Sequence, residues 1–90
     1  MAYYTLELAR PSDGWSRLPQ LIADARRASE QMQRDGVLVR FLRSIFVPED
    51  DACFCLYQAT SASAVREAAQ RAALSFNAVS EPIAEPEGEA

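Results

Sequence analysis

The stretch that decides the fold is residues 37–58, VLVRFLRSIFVPEDDACFCLYQ. It contains two runs rich in β-branched and aromatic residues, 37–47 and 52–58, and the segment between them carries a proline and three acidic residues. Apolar runs bounded by such a turn segment are typical of β-strands that pair as a hairpin. The sequence therefore predicts two antiparallel strands joined by an acidic turn.

On the N-terminal side of the hairpin, the pattern predicts one strand and one helix. Residues 3–8 alternate between two sides and are rich in β-formers, which indicates the strand. Apolar residues then recur at helical spacing, with Ser16 as the expected N-cap and Pro19 in the first turn, where its missing N–H has no intrahelical acceptor. Gly36 can supply the left-handed residue that ends this helix.

On the C-terminal side, the pattern predicts a second helix and a last strand. Ser61 is expected to cap the helix, and its buried stripe consists of Val65, Ala68, Ala69 and Ala72. Residues 78–83 indicate the last strand. The resulting order is β-α-β-β-α-β, which predicts an α+β, ferredoxin-like fold with a four-stranded antiparallel sheet and two helices on one face.

Both faces of the predicted sheet are apolar. Strict alternation along the second strand puts Leu38, Leu42 and Phe46 on the side opposite to Val37, Val39, Phe41, Ile45 and Val47. The helices can cover only one face, and an uncovered face of this kind would be a large apolar patch. We therefore expect a homodimer in which the two sheets face each other.

Length, charge and composition narrow the function classes. Ninety residues are enough for a single core, so the sequence predicts one domain over residues 1–84 and a disordered acidic tail over residues 85–90. The net charge is -4 and no basic stripe is present, which argues against nucleic-acid binding. The chain lacks a signal-peptide pattern and any run of 18 apolar residues, so no membrane association and a cytoplasmic location are expected.

Polar residues within the predicted sheet are the candidates for a ligand site. Glu7, Arg43, Cys55 and Tyr57 are expected to line a cleft between the sheet and its partner, where they would hold a small anionic or polar ligand. The alternative interpretation is structural, because buried charges are seldom left unpaired and Arg43 can form an ion pair with Glu7.

A metal site is a second possibility. Cys53 and Cys55 could supply two thiolates to a soft metal, with Glu7 or Asp51 completing the ligand set if the fold brings them near. The alternative is that both cysteines behave as small hydrophobic residues that face the dimer interface. Likewise, the acidic turn 49–51 can be a hard-cation site or simply a solvated turn.

Two segments resemble a known family. The hairpin and the helix after it, RFLRSIFVPEDDACFCLYQATSASAVREAA at residues 40–69, and the opening strand YTLELARP at residues 4–11 resemble a bacterial family of uncharacterised small domains that includes a nickel-responsive, nickel-binding protein. The resemblance implies a ferredoxin-like fold, a dimer, and binding of a metal ion or small ligand without settled enzymatic activity. The chain contains no histidine, the ligand that nickel sites most often use, which argues against carrying nickel over from that family.

The sequence thus favours a small dimeric accessory domain that binds a metal ion or small ligand at the sheet face. One alternative is a cofactor-independent enzyme of the dimeric α/β-barrel type, with Glu7, Arg43 and Tyr57 as its acid, base and anion-binding groups. Another is a pure protein-interaction module. A cavity of several hundred Å³ beside these residues would favour the enzyme.

Overall fold

The computed structural model describes residues 2–83 of the chain. The elements are β1 (Ala2–Leu8), α1 (Leu18–Arg34), β2 (Val39–Val47), β3 (Ala52–Ala59), α2 (Ala62–Arg71) and β4 (Phe76–Ile83), with a short 3₁₀ turn (Pro48–Asp50) between β2 and β3. The predicted β-α-β-β-α-β order is therefore confirmed. The predicted acidic tail at residues 85–90 lies outside the described residues.

The four strands form one sheet in the order β2-β3-β1-β4, and each pair of neighbours is antiparallel. Strand β3 lies between β1 and β2, so the helix that connects β1 to β2 must cross over one strand, and α2 makes the equivalent crossing from β3 to β4. Both helices pack on the same face. This is the ferredoxin-like arrangement that the sequence predicts.

Local signals account for two of the helix ends. Helix α2 begins after Ser61, whose Oγ accepts a hydrogen bond of 3.2 Å from the backbone N–H of Ala64. Gly36 follows α1 with a φ of +91°, a conformation that glycine adopts without strain. The N-cap of α1 is Arg17 and not Ser16, and no side chain caps it. Within residues 2–83, neither helix is long and apolar enough to cross a membrane.

The core fills the space between the sheet and the two helices. Its strand residues include Leu6 and Tyr57, and its helix residues include Met32 and Val65. Most of the buried positions of α2 are alanines, namely Ala62, Ala64, Ala68 and Ala69. Because these side chains are small, the backbone of α2 can approach the sheet closely.

A β-bulge in β2 changes which side chains face the core. Phe41 pairs with Tyr57 and Arg43 pairs with Leu56, so Leu42 is an extra residue without a counterpart in β3. The bulge shifts the alternation by one residue. Consequently Ile45 and Val47 lie on the face opposite to Phe41, and Phe46 lies on the side of the helices. The predicted strict alternation was therefore wrong for the second half of this strand.

Candidate functional site

The face of the sheet that carries no helices, which we call the open face, is organised in rows across the strands. One row contains Arg40, Gln58 and Tyr3, and the next contains Arg43, Leu56, Thr5 and Ser80. A third row contains Ile45, Phe54, Glu7 and Ala78, and a fourth contains Val47 and Ala52. The apolar side chains of this face therefore lie on β2 and β3, where Arg40 and Arg43 of β2 also lie, and Glu7 lies on β1.

Leu56 marks the centre of this apolar area. Its side chain is only 3% exposed although it lies on the face without helices. Ile45, in the adjacent row, remains 38% exposed. The face therefore combines a packed centre with an apolar margin in contact with solvent, which is the composition of a surface suited to burial against another apolar surface.

Glu7 and Arg43 both lie on this open face. They are not direct neighbours, because Arg43 is in the row of Leu56 and Glu7 is in the row of Phe54. Strand β3 also separates their strands, so their backbones are about 10 Å apart across the sheet.

Cys55 and Tyr57 lie on the other face, buried against the helices. The four predicted ligand residues therefore do not line one cleft, and the prediction of a shared site is corrected by the structure. The physical reason is alternation: residues of β3 with odd numbers face the helices, and those with even numbers face outward. Sequence reasoning recognised the two apolar faces but could not tell which one the helices would cover.

Tyr57 is the unusual polar residue of the core. Its side chain is fully buried, its ring packs edge-on against Phe41 at 5.5 Å between centroids, and its hydroxyl has no hydrogen-bond partner among the residues that the structure describes. Burial, followed by the neighbouring Cys55, raises the pKa of this hydroxyl. Tyr57 therefore lacks the access to solvent that an acid or base on the open face would need.

The predicted metal ligands do not converge. Cys53 and Cys55 face the core, where burial raises the pKa of both thiols, and the pKa of Cys55 reaches about 12 with a further contribution from Cys53. Thiols of this kind stay protonated at neutral pH, whereas metals bind the thiolate. Glu7 lies on the opposite face, and no three cysteine, aspartate or glutamate side chains within residues 2–83 are grouped to hold a metal ion. The alternative prediction, that both cysteines lie at the dimer interface, also differs from the structure, because both lie on the side of the sheet that the helices cover.

Two cavities lie away from these candidates. One of about 430 Å³ lies between the loop that follows β1 and the segment that precedes β4, and one of about 300 Å³ lies between α1 and α2. Neither is lined by Glu7, Arg43, Cys55 or Tyr57. Neither of these two cavities is therefore the one that the enzyme hypothesis would need beside its three proposed residues.

Asp51 has a role that sequence reasoning missed. Its carboxylate accepts hydrogen bonds from Arg10 Nε and from Trp15 Nε1, the latter at 3.0 Å. Trp15 also packs edge-on against Phe46, with ring centroids 6.2 Å apart. These contacts attach the β2–β3 turn to the loop after β1. No local pattern in the sequence predicts these contacts, because the partners of Asp51 are about 40 residues away in the chain.

Comparisons with known proteins agree with this architecture. A family model described as "Nickel responsive protein SCO4226-like" matches residues 17–81. The crystal structure of SCO4226 from Streptomyces coelicolor A3(2) is similar to this chain, with 22% sequence identity over 93% of this chain and 100% of that one and a TM-score of 0.66. At this identity the likeness shows the fold. No curated protein matches the sequence.

Proposed function

Since this chain belongs to the SCO4226-like family of nickel-responsive proteins, we propose that it is a non-enzymatic accessory domain that works as a homodimer. The two copies pack open face against open face, and a small polar ligand is held where the charged margins meet. The observation that carries this proposal is the open face itself, with its buried Leu56, its exposed Ile45 and its charges of both signs.

A second copy is the occupant that the chemistry of the open face favours. A two-fold symmetric interface brings the same surface from both subunits together, so it must be complementary to itself. The open face meets that condition, because it has apolar side chains along β2 and β3 and carries arginine and glutamate in different rows. Arg40 of one copy can thus lie near Glu7 of the other, whereas a face with a single sign of charge would repel its copy.

Nickel is not part of the proposal. The chain has no histidine, its two cysteines are protonated core residues, and the described part of the chain groups no three metal-binding side chains together. These residues do not fit a nickel centre, since such a centre needs imidazole, thiolate or convergent carboxylate ligands. What this member shares with the family is therefore the fold and, in our proposal, the mode of assembly.

A binding role agrees better with the geometry than catalysis does. The enzyme hypothesis needs Glu7, Arg43 and Tyr57 around one substrate, but Tyr57 is on the opposite side of the sheet from the other two. The polar groups that remain on the open face can bind and orient a ligand by charge-assisted hydrogen bonds.

Native mass spectrometry of untagged protein purified without chelators tests the proposal, because one spectrum reports both the subunit number and any retained small molecule. We expect a dimer. Ile45→Asp places a carboxylate in the apolar margin of the interface and should give a monomer, since burying an unpaired charge is costly. Ala23→Asp adds the same charge at an exposed position of α1 and should remain dimeric.

Circular dichroism of both variants verifies that they are folded. If the unmodified protein is a monomer at concentrations of about 50 μM, well above a micromolar Kd, the proposed assembly is wrong. If Ile45→Asp remains a dimer, the open face is not the interface.

A further inference from the structure

The larger cavity, which we call the loop cavity, has features that the open face does not explain. It occupies about 430 Å³ where the end of β1, the loop at residues 11–14, the start of α1 and residues 73–75 meet. This volume falls within the range of small-molecule sites. It lies on the side of the helices, so a second copy on the open face would not cover it.

The interior of the loop cavity is apolar. Leu8 and Leu74, which are 5% and 7% exposed, belong to the hydrophobic core, and the half-buried Leu21 of α1 packs beside them. Because these side chains are held by the core, the apolar surface is already in place before anything binds. A preformed surface of this kind favours a ligand with a compact apolar body.

Two arginines, Arg10 and Arg17, line the loop cavity, together with a single carboxylate, Asp13. Arg10 is held in place because its Nε donates to Asp51, which does not line the cavity. Arg17 Nε is 3.8 Å from Asp13 Oδ2, which is an ion pair but too long for a hydrogen bond, and its side chain is 78% exposed. The guanidinium of Arg17 therefore has donors to offer to an incoming group.

We propose that the loop cavity binds a small organic carboxylate with an apolar body. The carboxylate pairs with the guanidinium of Arg17 through two parallel N–H···O bonds, a geometry that arginine provides and a neutral side chain does not. The apolar body lies against Leu8, Leu21 and Leu74. Arg10, held in place by its ion pair with Asp51, lines the same cavity. The site does not depend on dimer formation.

The test uses benzoate as the probe and benzamide as its neutral counterpart of nearly the same shape. Titration of the ¹⁵N-labelled full chain, followed by NMR, should shift the amide signals of residues that line the loop cavity when benzoate is added. Benzamide should bind at least about tenfold more weakly, because it lacks the charge that pairs with arginine. Equal binding of the two compounds would overturn the proposal, and so would the absence of shifts at the cavity with benzoate at about 10 mM, a concentration that detects millimolar affinity.

Arg17→Gln and Arg27→Gln form a matched pair of variants. Both remove one positive charge from an exposed side chain, but Arg17 is the N-cap of α1, whereas Arg27 lies ten residues further along the helix, about 15 Å away, and does not line the loop cavity. Arg17→Gln should weaken benzoate binding by about tenfold or more, and Arg27→Gln should leave it within about twofold. If both variants bind benzoate as the unmodified protein does, Arg17 is not the carboxylate partner and the proposal fails.

A third variant, Leu21→Phe, tests the apolar part of the site independently of charge. Leu21→Phe extends a half-buried side chain into the loop cavity and should reduce benzoate binding by competition for the same volume. Undiminished benzoate binding by this folded variant would place the probe elsewhere and contradict the proposal.

Discussion

Replacing Tyr57 with phenylalanine should stabilise the protein, which is the opposite of the usual effect of a core substitution. The Tyr57 hydroxyl is buried and has no hydrogen-bond partner in residues 2–83, whereas in the unfolded chain it is hydrated. An unpaired buried hydroxyl costs about 1–3 kcal/mol. Removing one oxygen leaves a small void that costs on the order of a few tenths of a kcal/mol. The edge-on contact between this ring and Phe41 is retained.

We therefore expect Tyr57→Phe to raise the free energy of unfolding by about 1–2 kcal/mol, which corresponds to about 4–16 °C in Tm for a domain of this size. The measurement is urea and thermal unfolding followed by circular dichroism, with all variants at the same protein concentration because association shifts the apparent stability. Tyr4→Phe is the matched control, since Tyr4 also faces the helices but its hydroxyl is not an unpaired buried atom. It should change stability by less than about 1 kcal/mol.

A loss of about 1 kcal/mol or more in Tyr57→Phe would refute this reasoning, because it would mean that the hydroxyl makes a favourable hydrogen bond in solution.

Two further predictions concern the core thiols and the end of α2. Burial, followed by the neighbouring Cys53, raises the pKa of Cys55 from 9.0 to about 12, so above pH 9 the unfolded chain loses a proton that the folded chain keeps. The free energy of unfolding should therefore be constant below about pH 9 and fall by roughly 1 kcal/mol per pH unit between about pH 9 and 12. Urea unfolding at a series of pH values gives the free energy of unfolding as a function of pH, and its decrease above pH 9 should be smaller for Cys55→Ala. An unchanged decrease would show that the Cys55 thiol is not its cause. Ala73 follows the C-cap of α2 and has a φ of +58°, a conformation that suits glycine. Ala73→Gly should therefore raise the free energy of unfolding by about 0.5–1 kcal/mol, measured by urea unfolding, whereas Ala72→Gly, next to it at φ −85°, should lower it.

The sequence by itself determined the order and type of the elements. The hairpin at residues 37–58, the glycine after α1 and the serine before α2 are local signals, since each depends on a few adjacent residues and their backbone preferences. All three have counterparts in the structure at or near the predicted positions. The predicted cap at Ser16 was wrong, because the N-cap of α1 is Arg17 and no side chain caps the helix.

Which face of the sheet each residue occupies was decided by the tertiary structure. Alternation shows that two sets of side chains lie on opposite faces, but it does not show which set the helices cover when both are apolar. The crossovers of α1 and α2 determine which face the helices cover. They bury Cys53, Cys55 and Tyr57 and leave Glu7 and Arg43 on the open face. One extra residue in β2 then reversed the alternation for the rest of the strand.

The contacts of Asp51 and the loop cavity depend on the tertiary structure in the same way. Arg10, Trp15 and Asp51 meet only because β1 and β3 are neighbours in the sheet, and the cavity closes only because the segment before β4 returns beside the end of β1. A local pattern encodes backbone preference and apolar periodicity over a few residues, whereas these sites are made by residues tens of positions apart. The sequence therefore determined the fold, and the pairing of distant strands determined where that fold can bind a ligand.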